Sequence, residues 1–488
     1  MRPTVRFLTD DLIKQIIDEA VSLLCDLGTQ IRHKQILSML ADHRARVDMD
    51  NFHVNLTEDI IQKATATAPH SFKLYDVLGN QTHDFSGYNV HFTPGSSALN
   101  FLDGQTRQSR KPLTNDYIDF SKIIGQLDNI ASTSTALTPT DVNERISDSY
   151  RLFLSLLYCE KPVVTGAFTV ESFNVMKDFL LAVRGSESEL EKKPLSIFTC
   201  CPTSPLKWGE VASQNLIDCT RYSIPVEITA MPLAGFTAPV TLTGTLIQQT
   251  AEVLSGVVVS QLLNPGTPIL LGGSPAIFDV RNETTPMGAI ETMMLNCSFN
   301  EIGKYLNLPT QAYTALSDAK LIDAQAGLES GMGAALAALS GINSISGPGM
   351  IDFENCQSLE KLVLDNEMCG MALRLIDGVE PRDDFPALPI FQELLREKHL
   401  LIANHTMRYR DSEIFSPGPA IERANRQRWQ QQGATDTNAR LHAEVNRLLK
   451  ACQPSTLPET TKKDLVKLME TEARRHGQDR LPLTPMTA

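Results

Sequence analysis

Gln311-Ala-Tyr-Thr-Ala-Leu-Ser-Asp-Ala-Lys320-Leu-Ile-Asp-Ala-Gln-Ala-Gly-Leu-Glu-Ser-Gly-Met-Gly333 reads as a strand, a polar turn and a helix in one stretch. A short β-like run ends near Tyr313. The turn Ser317-Asp-Ala-Lys320 follows, and an Ala- and Gly-rich helix starts behind it. A carboxylate and an ammonium therefore stand at a strand-to-helix junction. Gly327, Gly331 and Gly333 make the helix small-sided, which predicts close packing on the strands rather than phosphate binding, and no P-loop is present.

The same unit recurs outward in both directions. β-like runs fall at 90–93, 130–135, 162–166, 195–201, 225–231, 268–272, 309–313 and 342–346. Helical patterns follow them at 114–127, 142–159, 170–184, 209–222, 243–263, 286–306, 319–340 and 356–376. Alternating strands and helices imply a parallel sheet, and eight units predict an α/β protein of the closed (β/α)8 TIM-barrel class. An open doubly wound sheet would carry a GxGxxG after its first strand, and none is present. The run at 130–135 is dominated by Ser and Thr and is the weakest strand pattern.

Ahead of the barrel (89–380), residues 1–88 read as a helical and hairpin cap. Thr9 is placed to cap a first helix, with Gly28 ending it. Residues 381–452 form a helical extension. Residues 453–488, rich in Pro, Thr and charge, are expected to be a weakly held tail with one helix at 462–476.

Composition narrows the function. A net charge of −13 without a basic cluster argues against a nucleic-acid partner. No apolar run approaches the ~20 residues of a membrane span, and a cytoplasmic protein is the expectation. The nine Cys are scattered without a CxxC pair and read as reduced. None of the ten His lies between His91 and His399, so a His-ligated zinc or a Ser-His-Asp triad fits the barrel only if His91 or a C-terminal His folds over it.

In a (β/α)8 barrel the chemistry sits at the C-terminal strand ends. Those ends are rich in Gly, Pro, Ser and Thr, and the ionisable groups near them are few: His91, Glu227, Asp318, Lys320, Asp323, Asp279, Arg281 and Glu283. Glu227 lies mid-strand and faces either the barrel interior or the helices. Phe168, Tyr313 and Phe353 stand near strand ends, and aromatic faces with carboxylates suit a quaternary ammonium.

Four motifs, Cys201-Pro-Thr-Ser-Pro-Leu206, Met231-Pro-Leu-Ala-Gly-Phe-Thr-Ala-Pro-Val-Thr-Leu242, Ser317-Asp-Ala-Lys-Leu-Ile-Asp-Ala-Gln-Ala-Gly-Leu-Glu329 and Leu362-Val-Leu-Asp-Asn-Glu367, resemble the trimethylamine methyltransferase superfamily. The resemblance implies a methyltransferase that binds a methylated amine in its barrel. It implies transfer of one methyl group to the Co(I) corrinoid of a separate, cognate corrinoid protein, giving methylcobalamin there, with no cofactor bound permanently to this chain. Founding members carry pyrrolysine, thought to bind the amine, whereas this chain contains only standard residues. A substrate that is already quaternary needs no such help, so a betaine-type amine such as glycine betaine, proline betaine or carnitine is expected. On that reading Asp318 and Lys320 are the catalytic pair. Glu227 offsets the cation, Tyr313, Phe168 and Phe353 form its cage, Arg281 or Lys320 meets a betaine carboxylate, and His91 lines the site. A Schiff-base lyase using Lys320 and a non-catalytic betaine-binding protein are the alternatives. An apolar barrel exterior with extra helices favours a homo-oligomer.

Overall fold

The computed structural model describes residues 2–482. Eight short strands form the barrel: β1 (His91–Thr93), β2 (Thr133–Ser134), β3 (Val163–Thr165), β4 (Ser196–Cys200), β5 (Val226–Ala230), β6 (Ile269–Gly273), β7 (Gln311–Tyr313) and β8 (Ser344–Ser346). Parallel ladders run β2-β3-β4-β5-β6 and β7-β8-β1. Two seams close the ring. Leu271 bridges Thr310 between β6 and β7, and the Ala131 amide donates to the Phe92 carbonyl at 2.8 Å between β1 and β2. All eight expected strands are present in sequence order. The Ser- and Thr-rich second run keeps only two residues of regular ladder.

Helices α1 (Thr114–Ile124), α2 (Ser147–Tyr158), α3 (Ser172–Arg184), α4 (Glu210–Arg221), α5 (Leu242–Leu263), α6 (Ile290–Tyr305), α7 (Ala324–Ser340) and α8 (Leu359–Asp377) surround the barrel. α5 is buried around most of its circumference, Gln248, Gln249 and Glu252 included, because the cap helices Asp10–Asp26 and Glu58–Thr67 cover its outer face. It is the one described helix long and apolar enough to cross a bilayer, with mean hydropathy 1.2, yet 83% of that stretch is buried in protein. Of the small residues on α7, Gly333 is the one that requires it, since a Cβ there would stand 2.9 Å from the Ala315 amide nitrogen.

The cap holds more strand than its sequence suggests. Thr29–Ile31, Arg46–Asp48 and His53–Asn55 form a sheet extended by Lys207–Trp208. The expected hairpin, Lys73–Tyr75 with Gln81–Asp84, seals the barrel floor. Its Phe72, Leu74 and Phe85 pack against Val164, Ile197 and Leu270 from inside β3, β4 and β6.

The tail departs from expectation. Helix Glu459–Arg475 buries Leu465, Met469 and Ala473 against α2 and α3, and the Gln478 side chain accepts from the Asn143 amide at 2.7 Å. Its apolar stripe is repaid by packing, so residues 459–478 are a docked element. Residues 483–488 of the expected tail lie outside the described chain.

At the mouth, the hairpin Met350–Ile351 / Cys356–Gln357 joins the hairpin Asn100–Leu102 / Ser109–Arg110 in one four-stranded sheet. Its base is tied down by α8, where the Lys361 ammonium lies 2.6 Å from the Asp365 carboxylate, both buried. Asp365 also accepts the Gly349 amide at 2.7 Å. Breaking such a pair strands a buried charge. Lys361→Met is expected to cost about 3–5 kcal/mol, while Lys361→Met combined with Asp365→Leu recovers much of the loss. Chemical denaturation of the three proteins measures this.

Candidate active site

Parallel partners share a face of the sheet. Glu227 on β5 is in register with Thr199 on β4 and Leu270 on β6, and Leu270 belongs to the floor cluster. Glu227 therefore points into the barrel, where it is fully buried. One oxygen accepts the Thr199 hydroxyl at 2.6 Å; the other, Oε2, has no protein partner. Burial pushes its carboxyl up to about 7, against the pull of the Thr199 hydrogen bond.

A second carboxylate shares this interior. Glu354 sits in the turn of the mouth hairpin and accepts the Ser96 amide at 3.3 Å. Burial, with the nearby Glu227 charge adding to it, pushes Glu354 up to about 8 despite that hydrogen bond. Three consecutive residues, Asp352, Phe353 and Glu354, have φ of 54°, 58° and 67°. Non-glycine residues in this left-handed region cost roughly 1–2 kcal/mol each. The mouth sheet and the Asp365 tether hold this strained turn, and its geometry aims Glu354 inward.

Tyr313, at the end of β7, completes the wall. Its hydroxyl lies 3.4 Å from Ser96 Oγ. Burial, followed by the charges of Glu227 and Glu354, holds its phenol well above its ordinary value. Cys201, just past β4, is exposed towards the mouth, and its thiol lies 2.9 Å from Thr229 Oγ1. Gln311 spans β6 to β8 below Tyr313, accepting the Gly273 amide at 3.1 Å and donating to Ser346 Oγ at 3.2 Å. Among the described residues, the ring of Glu227, Glu354, Tyr313, Cys201 and Ser96 thus presents two carboxyl groups with no cationic side chain bonded to either. Among the described residues, no group of three or more His, Cys, Asp or Glu is arranged to hold a metal ion.

The other expected site residues lie elsewhere. Asp318 spends both carboxylate oxygens on backbone, accepting the Met287 amide at 2.9 Å and the Gly288 amide at 2.8 Å, which ties the β6 loop to the β7 loop. Burial is the main reason its carboxyl is raised to about 6. Lys320 is a rim residue. Its side chain is 60% exposed, donates to the Asp318 carbonyl at 2.7 Å, and lies 3.5 Å from Asp352. Its ammonium also sits 3.8 Å from the centre of the Phe353 ring, so that aromatic face is already taken by a cation. Phe168 is on the rim with the Arg151 guanidinium 5.1 Å from its ring. Arg281 is paired with Asp279 in the exposed β6 loop. His91 starts β1, at the floor. It packs 4.5 Å from His83 and hydrogen-bonds the Asp84 carbonyl, and burial lowers its pKa. Of the expected residues, the structure brings only Glu227 and Tyr313 together in the interior.

The sequence profile of the trimethylamine methyltransferase family matches residues 1–477. The chain belongs to the trimethylamine methyltransferase family. It is 27% identical to the trimethylamine methyltransferase MttB of Desulfitobacterium hafniense DCB-2, over 96% of this chain and 94% of that protein. It is also 27% identical to the glycine betaine methyltransferase of D. hafniense Y51, over 93% of this chain and 94% of that protein. The Methanosarcina barkeri monomethylamine methyltransferase MtmB superposes with a TM-score of 0.51 at 12% identity, covering 92% of this chain and 89% of that one, a likeness of fold.

As a trimethylamine methyltransferase family member the chain is a corrinoid-dependent methyltransferase, which retires the lyase and passive-binder readings. The geometry agrees on the first point, because Lys320 is exposed and ion-paired rather than desolvated as a Schiff-base lysine must be. Sequence reading missed Glu354, Cys201, Thr199, Ser96 and Gln311 as groups around Glu227 and Tyr313. The one available signal was that Gln311 and Tyr313, two apart on a strand, share a face.

The buried Glu227 has a pH signature. Its folded value of about 7 exceeds its ordinary 4.5, so the stability it contributes is full below about 4.5 and is lost as pH rises through 7. Relative to wild type, the ligand-free Glu227→Gln protein is expected to gain stability between pH 5 and 8, on the order of 3 kcal/mol. Paired thermal melts across that range check this.

Proposed function

We propose that this family member demethylates a small quaternary amine of the betaine type and delivers the methyl group to a cognate corrinoid protein docked on the barrel mouth. The observation that carries the reading is Glu227 Oε2, a buried carboxylate oxygen with no protein partner, beside a second carboxyl and a neutral tyrosine. A fully buried carboxyl beside a half-buried one, without a counter-ion, is a receptor for a cation, and a tetraalkylammonium matches the pair by charge without needing a hydrogen bond. Tyr313 offers an aromatic face beside them. A betaine carboxylate would reach outward to Lys320 on the rim.

In the reaction the N–CH3 bond breaks, the methyl carbon bonds to the acceptor, and the bonding pair stays on nitrogen as a neutral tertiary amine. The partner's Co(I) corrinoid supplies the nucleophile. The chain's task is to hold, dehydrate and aim the ammonium. No proton transfer is required; the histidines His83 and His91 pack against each other at the floor. Carboxylates that favour a full cation over a charge-dispersed transition state supply affinity rather than acceleration, so Glu227 and Glu354 should govern KM more than kcat. The exposed apolar rim, including Phe168, Met231 and Phe236, with Phe236 stacked on the half-buried Phe278, suits a docked protein face.

The test supplies the protein and its cognate corrinoid protein with glycine betaine, proline betaine, carnitine and trimethylamine, and follows loss of Co(I) spectroscopically. Turnover is expected with one of the quaternary amines; turnover with trimethylamine alone would refute the reading. Glu227→Gln should lower kcat/KM roughly 100-fold, mainly through KM. KM should fall as pH rises from 6 to 8.5, since the cation selects the ionised pair and binding expels protons. A pH-independent KM would remove the pair from the site.

A further inference from the structure

One buried ion pair near the mouth has no part in the chemistry above. Asp148 and Arg151, one turn apart on α2, are both buried, and their side chains meet at 2.9 Å. Together they reach into the loops that follow the first three strands. The second Asp148 oxygen accepts the Phe168 amide at 2.6 Å, beyond β3. Arg151 Nη1 donates to the Thr135 carbonyl at 3.2 Å, beyond β2, and to Ser97 Oγ at 3.0 Å, beyond β1. Its Nε donates to the Ser147 carbonyl at 3.3 Å. The pair is neutral as a unit, so Arg151 gives these loops geometry rather than charge.

The loop after β1 is the one that bears on the pocket. Ser97 has a φ of 61°, in the left-handed region that a non-glycine residue holds only where its surroundings fix it. Its amide donates at 3.0 Å to the Thr135 carbonyl, the same oxygen that Arg151 binds. On the other side, the Gly95 carbonyl accepts Ser134 Oγ at 2.7 Å. Ser96 is thus held through both of its neighbours, and its own groups turn to the site. Its amide donates to Glu354 at 3.3 Å, and its hydroxyl lies 3.4 Å from the Tyr313 hydroxyl. Among the described residues, that amide is the one hydrogen-bond donor to Glu354.

We propose that Arg151 is a positioning residue for the amine site: through Ser97 it fixes the turn at Ser96 and so aims the amide that holds the Glu354 carboxylate. The inference rests on the reading of Glu354 as one of the two carboxyls that receive the ammonium. A lysine in place of Arg151 keeps the charge opposite Asp148 but is a point donor, whereas the planar guanidinium holds Asp148, Thr135 and Ser97 at once. The other titratable groups around Glu354 are Glu227 from β5, the Tyr313 phenol from β7 and the Cys201 thiol beyond β4. On its own turn stands Asp352, 3.5 Å from Lys320. None of these hydrogen-bonds Ser97 or Arg151 among the described residues, so a change there reaches Glu354 by way of Ser96.

The titration of Glu354 in the ligand-free protein tests this without any substrate. Thermal melts across pH 5 to 9.5 are taken for the wild type, Ser97→Ala and Arg151→Lys, each with and without Glu354→Gln. Within each pair, the stability contributed by Glu354 falls as pH rises and levels off past its folded titration, about 8 in the wild type. The aligned amide favours the charged carboxylate, so its loss moves the levelling point up by about half a pH unit in both variants, and combining them moves it no further. In turnover at pH 7.5, KM for the quaternary amine rises about threefold, with kcat within about twofold of wild type. A packing role alone lowers the melting temperature at every pH and leaves the levelling point in place. A folded Ser97→Ala protein with an unmoved levelling point overturns the proposal, and this variant, which loses one hydroxyl, decides if Arg151→Lys does not fold. A levelling point that moves while KM does not supports the positioning and refutes the use of Glu354 by the amine, so the two readings fail separately.

Discussion

A carboxylate with no counter-cation at the centre of a protein is the constraint around which this barrel is arranged. Removing a charged carboxylate from water is costly, and the usual remedies are a cation or a full set of hydrogen-bond donors. Glu227 has neither. It receives one hydroxyl, from Thr199, and its other oxygen is bare. The protein tolerates it by letting the group take up a proton when the pocket is empty, which is the meaning of a carboxyl raised to about 7. Stability comes instead from the apolar layers around it: the hairpin plug at the floor and the helices packed on the outer faces of β4, β5 and β6.

The second carboxyl is held by means the first does not need. Glu227 is placed by strand register alone. Glu354 is placed by a strained turn, and the turn depends on a chain of contacts running from Lys361 to Asp365 to the Gly349 amide and so to the base of the mouth hairpin. The molecule thus contains two kinds of buried charge. Asp365 is compensated and structural. The Glu227–Glu354 pair is uncompensated and exposed to ligand. Asp318 resembles the former, because its oxygens are saturated by two loop amides.

These distinctions explain what was legible in the sequence. The eight-fold alternation was plain because each β-like run is a buried parallel strand and each helix carries its own period; even the Ser- and Thr-rich second strand formed, with a shortened ladder. The cap strands at 29–31, 46–48 and 53–55 were not, being three residues long with a mixed burial pattern. Asp318 and Lys320 attracted attention as charges at a strand end, but sequence cannot show that loop amides and an aromatic ring already occupy them. Glu354 was invisible for a different reason. Its neighbour Phe353 drew the reading, and nothing in Asp-Phe-Glu announces three successive left-handed residues. Glu227 was half legible: strand membership was clear, and the direction it faces depends on a register that only the closed ring supplies.

The same desolvation that leaves the pair without a cation also separates the amines that the pocket could accept. A protonated tertiary amine brings its own proton into contact with two carboxyls already raised to about 7 and 8. Burial disfavours both charges of such a pair, so moving the proton to the carboxylate yields a neutral acid and a neutral amine. That amine is a poor methyl donor, since its departing nitrogen would have to carry a negative charge. A quaternary nitrogen has no proton to surrender. It keeps its charge in the dry interior, holds the carboxylates ionised, and becomes neutral only when the methyl group leaves. At that moment the attraction that bound it disappears and the carboxyls regain their protons, which favours release of the product. On the proposed reading, binding and release therefore draw on one property of the site, the unpaired charge of Glu227 and Glu354, while the activation resides in the quaternary nitrogen itself.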